Sequence, residues 1–121
     1  MEVTDAVFEQ MVADALDSIP ESLGRRMENV AVVVRDWPTR RQLRGVGGML
    51  LGLYEGVDLT CRSPLGYHGG MPDRITIFKE PHQRIAGDEV QLAALVRKTV
   101  IHEVAHHFGI SDPRLDELGW A

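Results

Sequence analysis

His102 and His106 stand four residues apart in the stretch HEVAHHFGISD, with Glu103 directly after the first of them. On a helix that spacing puts both imidazoles on one face, a turn apart, where they can share a single metal ion. Glu103 can then reach a water bound to that metal and take its proton. The arrangement is H-E-x-x-H, in which two histidines bind zinc and the glutamate is the general base.

A catalytic zinc takes three protein ligands and keeps a fourth position open for water. Gly109, three residues past His106, lets the chain leave the helix through a left-handed conformation. Asp112, three further on, can then fold back toward the metal. The whole reads H-E-x-x-H-x-x-G-x-x-D, where the metzincin pattern ends in histidine. An aspartate oxygen in that place gives a His₂Asp site, and Asp is an ordinary zinc ligand. The expectation is one Zn²⁺ per chain, held by His102, His106 and Asp112. Mn²⁺, Fe²⁺, Co²⁺ and Ni²⁺ are alternatives, since affinity order does not decide occupancy in a cell. His107 sits roughly 100° around the helix from His106, off the ligand face. It is expected to be packed or hydrogen-bonded, or to support a ligand from behind. The plain alternative for the whole stretch is a solvated, histidine-rich helix end without metal. Against it stand the helical context, a glycine where the helix must stop, and an acid at ligand distance.

The elements that must position these groups follow from periodicity. Residues 4–18 read as a helix, capped by Thr4 or Asp5, with an apolar stripe of Val7, Phe8, Met11, Val12, Ala15, Leu16 and Ile19. Pro20 ends it. Val30–Arg35 is β-branched and reads as a strand, and residues 49–54, MLLGLY, as a second. Between them lies a loop with Trp37, Pro38 and three glycines. Residues 55–72 are rich in Gly and Pro and read as a long loop; loops of this length are usually functional or mobile. Arg74–Phe78 alternates polar and apolar residues like a half-buried strand, closed by Pro81. It is read either as a plain sheet strand or as a free edge for an extended peptide, with Lys79, Glu80 and Pro81 blunting that edge. Residues 88–108 make the longest helix: Asp88 is the N-cap, Gln91 completes a capping-box-like pair, and Val96, Val100, Val104 and Phe108 recur at helical spacing. Gly109 suits its C-terminal cap, and a turn, with a short helical turn, follows it. The order predicts an α+β fold: a small short-stranded sheet packed against helices, with the metal motif on the long C-terminal helix.

The chain has 121 residues, which suggests a single domain over 1–121, large enough to bury one core. Its net charge is −5, with a pI of about 5.5. That argues against broad binding to nucleic acid or to anionic membranes, although Arg40, Arg41 and Arg44 form a local basic group. Cys61 is the one cysteine, so neither an internal disulfide nor a thiolate metal cluster is expected. The first twenty residues are acidic and amphipathic, unlike a signal peptide, and no apolar run is long enough to span a membrane. The expectation is a soluble, cytoplasmic protein.

The sequence resembles the minimal zincin family, small bacterial zincin-like metallopeptidases of about this length. The likeness extends beyond the motif to GLYEGVDLTCR at 52–62, MPDRITIFKEP at 71–81 and HEVAHHFGISDPRLDELGW at 102–120. It implies a compact α+β fold with a short sheet beside the metal helix. It also implies His102, His106 and Asp112 as metal ligands and Glu103 as catalytic base. The larger metzincins follow the metal helix with a Met-turn. No methionine lies among residues 113–121, so their specificity is not carried over.

The expected reaction is peptide-bond hydrolysis by a metal-activated water, with Glu103 taking the water's proton and passing it to the leaving amine. Tyr54, Arg62, Tyr67 and His68 are candidates for a further donor to the oxyanion, and the sequence does not choose among them. Each of these, like His82, is otherwise a structural or surface residue. A peptide or protein substrate is expected. A metal-binding protein without turnover and a metal-dependent amidase are the other readings.

Overall fold

The computed structural model describes residues 1–20, 27, 30–56, 73–111, 113, 114 and 117. Along the chain these form α1 (Asp5–Asp17), β1 (Val30–Arg35), β2 (Gly52–Glu55), β3 (Asp73–Phe78), α2 (Lys79–Ile85) and α3 (Glu89–His107). Arg62, Tyr67, His68, Cys61 and Asp112, singled out above, lie outside the described residues, as does most of the long loop.

Local chemistry sets the helix ends. Thr4 caps α1, its hydroxyl accepting from the Val7 N–H at 3.2 Å. Phe8, Val12 and Ala15 are buried, whereas Val7, expected in the same stripe, is turned outward and 36% exposed. Asp88 caps α3 by accepting from the Gln91 N–H at 2.8 Å. The Gln91 side chain reaches back to the N–H of Gly87 rather than to that of Asp88, one residue beyond the reciprocal pairing expected. At the other end Gly109 takes φ 69°. Its N–H meets the His106 carbonyl at 3.1 Å, and the Ile110 N–H meets that of Ala105 at 2.9 Å. This is a Schellman cap, which ends the helix directly behind the histidines. Beyond it Pro113, Arg114 and Glu117 are helical, matching the short turn expected there.

Among the described residues, three strands form one mixed sheet in the order β1-β3-β2. β3 pairs in parallel with β1 and antiparallel with β2. It is therefore the central strand, not the edge that a substrate could extend. Its burial agrees: Arg74 is the one exposed residue in the strand, and Thr76, on the same face, is 2% exposed. Alternation in the sequence is the same for a central and an edge strand, so it could not decide between them. β2 begins at Gly52, three residues later than expected, although the Leu51 carbonyl already accepts from Phe78 N–H at 2.9 Å.

The residues read as closing β3 start a helix instead. Lys79 opens α2, is buried, and pairs with Asp5 of α1. Pro81 lies in the first turn, where a backbone N–H would have no intrahelical partner and its loss costs little. The core is built from Phe8, Val12 and Ala15 of α1, Ile75 and Ile77 of β3, and Leu92, Val96, Val100 and Val104 of α3. The last four recur every fourth residue and fix which face of α3 turns inward.

His82 of α2 is completely buried within this frame. Its Nδ1 lies 2.6 Å from the Phe78 carbonyl and its Nε2 2.8 Å from the Thr99 hydroxyl. A carbonyl only accepts, so Nδ1 carries the proton, and in the neutral ring Nε2 accepts from Thr99. Burial lowers the pKa from its ordinary 6.5, and the Phe78 carbonyl opposes that in part. Since the folded value lies below the unfolded one, the unfolded chain binds the extra proton first. The stability that neutral His82 supplies is thus complete above about pH 6.5 and declines as pH falls below it. Urea unfolding of wild type and His82→Gln at pH 8 and pH 5.5 should show the wild type losing more stability on acidification than the variant.

Candidate functional site

The site is assembled where α3 crosses the inner face of β2. Gly52 permits that crossing. A Cβ built on it would stand 2.8 Å from Thr99 Cγ2 and 3.1 Å from Glu103 Cγ. Any larger residue would wedge the helix away from the strand. The antiparallel register with β3, with Leu51 and Phe78 as a hydrogen-bonded pair, turns the main-chain groups of Gly52 and Tyr54 away from β3. The Tyr54 N–H uses this freedom to donate to the Glu103 carboxylate. The sheet thus holds the glutamate through its own main chain.

Glu103 is 8% exposed. Burial pushes its carboxyl above the usual range, while the imidazoles of His106 and His102 and the Tyr54 N–H pull it back. Its Oε2 is buried and has no hydrogen-bond partner among the described residues. His106 Nδ1 approaches it to 3.4 Å, too long to satisfy the oxygen. His102 and His106 stand together on the outer side of the helix, ring centroids 5.4 Å apart and nearly perpendicular. His102 is half-buried; the His106 side chain is 46% exposed. The structure therefore brings His102, Glu103 and His106 into one cluster. Among the described residues no group of three or more His, Cys, Asp or Glu side chains is arranged to hold a metal. The donor types nonetheless suit zinc: two imidazoles a helical turn apart on one face, with an unsatisfied carboxylate oxygen beside them. Asp112, expected as the third ligand, lies outside the described residues.

His107 points the other way. It is 1% exposed and its Nδ1 lies 3.1 Å from Asp73 Oδ2. The Tyr54 hydroxyl donates to the same oxygen at 2.9 Å, and the Tyr54 ring meets His107 edge-on. Tyr54, a candidate oxyanion donor from its position in the sequence, has its hydroxyl committed to this buried group instead. Its main-chain N–H is the part that serves the site, which no side-chain reading could have found.

A cleft of about 340 Å³ opens beside Glu103 and His102. Met49, Leu50 and Leu51 line it from the approach to β2, and Leu95, Lys98 and Thr99 from α3. This is the lower range of small-ligand pockets. Leu95, Lys98 and His102 recur at three and four residues, so they share one helix face; that spacing was the signal available in the sequence.

A family model for zincin-like metallopeptidases matches residues 27–120, and the chain belongs to that family. No curated protein matches it. Among solved structures, a conserved hypothetical protein from T. thermophilus is similar, at 24% identity and a TM-score of 0.60, over 96% of this chain and 97% of that one. That likeness shows a shared fold. Among the described residues no helix is long and apolar enough to cross a membrane.

Gly52→Ala should lower stability by about 1–3 kcal/mol in urea unfolding, the cost of overpacking a tight contact. Thr99→Ser deletes the methyl that the new Cβ would strike and keeps the hydroxyl for His82. The double variant Gly52→Ala/Thr99→Ser should regain a large part of that loss, and a simple sum of the two single effects would show that the contact is not the cause.

Proposed function

We propose that the chain is a zinc-dependent peptidase, with His102, His106 and Asp112 as metal ligands and Glu103 as general base. The observation that carries this reading is the Glu103 carboxylate: buried, held by the Tyr54 N–H, and left with one unsatisfied oxygen next to two imidazoles at the wall of a cleft. An acid buried that way destabilises the fold unless the empty valence is used. Membership of the zincin-like metallopeptidase family supports the same reading.

Zinc, when bound, would supply Lewis acidity, bringing the pKa of a coordinated water toward neutrality and polarising the scissile carbonyl. His102 and His106 carry their rings on one helix face, a turn apart, where they would share the ion. Glu103 Oε2 receives the proton of the attacking water and delivers it to the departing amine. The Tyr54 N–H keeps the other end of the carboxylate fixed while the proton moves.

Metal content measured by mass spectrometry, after zinc loading and desalting, should give about one zinc per chain in wild type and none in His106→Ala. Asp112→Ala should weaken metal binding strongly. Glu103→Gln should retain the metal yet cleave peptides at least about a hundredfold more slowly. Full metal occupancy in wild type with no cleavage across a peptide library would favour a binding protein without turnover. Hydrolysis of small amides alone would favour an amidase.

A further inference from the structure

Two depressions lie end to end along α3. The first is the cleft beside Glu103 and His102. The second, also about 340 Å³, is lined by Ile85, Ala86, Gln91, Ala94, Leu95 and Lys98. They share Leu95 and Lys98, so they form one trough running from His102 back to the end of α2. From Gln91 to His102 the helix rises roughly 16 Å, the length of about five residues of extended peptide.

The chemistry of the trough is patterned. Near the catalytic cluster it is walled by Met49, Leu50, Leu51 and Leu95; at the far end Ile85 lies 53% exposed, an apolar surface without cover. Lys98 stands at the junction of the two depressions, exposed and in no ion pair among the described residues. The chain as a whole carries a charge of −5, so this cation is set against the general trend of the molecule. An unpaired ammonium between two apolar hollows complements a carboxylate between two apolar side chains.

We propose that the trough is the substrate groove and that it selects peptides that combine a large apolar residue near the scissile bond, an acidic side chain at Lys98 and a second apolar residue at Ile85. The inference rests on the peptidase reading and names its substrate class. The carboxylate is an acidic side chain, because a C-terminal carboxylate at Lys98 would leave no residue to reach Ile85.

Fluorescein-labelled heptapeptides containing Leu-Glu-Leu, Leu-Lys-Leu or Gly-Glu-Gly distinguish these terms by anisotropy on the zinc-loaded protein. Leu-Glu-Leu should bind about tenfold more tightly than Leu-Lys-Leu, and Lys98→Glu should invert that order. Lys98 is exposed, so the variant should melt with the wild type; a thermal scan checks that. Gly-Glu-Gly should bind more weakly than Leu-Glu-Leu to both proteins. A peptide ending at Leu with a free carboxylate should bind no more tightly than its amide; a clear preference for the free acid would overturn the side-chain assignment. Equal binding of all peptides, or a preference for Leu-Glu-Leu that survives Lys98→Glu, overturns the proposal. Mass spectrometry of the same mixtures separates the two readings. Selective binding with intact peptide sinks the peptidase reading and keeps the groove, whereas cleavage without selectivity does the reverse.

Discussion

The contact of α3 with β2 at Gly52 governs the geometry of the acidic site. A helix bearing a buried glutamate must bring that carboxylate to something that can hydrogen-bond it, and here the partner is the main chain of a strand. The distance at which the two elements pack is fixed by a missing side chain: with 2.8 Å to Thr99 Cγ2, no Cβ fits. The same crossing brings Thr99 over to His82, so the long helix is tied to β2 through Glu103 and to α2 through Thr99, one turn apart. The position of the glutamate is thus over-determined by packing and by hydrogen bonds, which is what the proton transfer proposed for it would require.

Polar burial on the opposite side has a different character. His107 and Asp73 pair beneath Tyr54, against the start of β3. Gly56 makes room for this group: its φ of 152° and a would-be Cβ 2.5 Å from Asp73 Oδ1 leave no space for a side chain. Adjacent histidines in one motif therefore meet unlike surroundings. His106 stands half in solvent beside Glu103, and His107 is sealed into the fold. The 100° step of the helix is the whole cause.

Much of this was readable before any coordinates. Asp88, Gly109 and the three valines spaced four residues apart act within a turn or two of chain, so residue type and spacing specify α3 almost to its ends. The clustering of His102, Glu103 and His106 follows from the same local rule. What the sequence withheld is non-local. The central place of β3 depends on pairings with Val30–Arg35 and Gly52–Glu55, and alternation within Arg74–Phe78 is blind to both. α2 was hidden because Pro81 reads as a terminator, although at a first helical turn it is tolerated. Val7 was grouped with the buried stripe because the apolar arc of α1 is wider in the sequence than the face that finds a partner. The trough shows the reverse case: Leu95, Lys98 and His102 share a face legibly, but the hollow itself exists only because residues 49–51 and α2 approach from elsewhere.

The strand order also has a consequence for how the chain is made. β1 and β2 do not pair with each other; each needs β3, and β3 follows both in the sequence. Among the described residues, a growing chain therefore carries two strands with no ladder partner until β3, ending at residue 78, has been added. Valines of β1 emerge well ahead of the strand that covers their hydrogen-bonding edge, a condition that favours association with other nascent or unfolded chains. α3 comes later still, so the seat for Glu103 on β2 is completed before the glutamate itself arrives. The order of synthesis thus prepares the strand surface first and delivers the motif to it last.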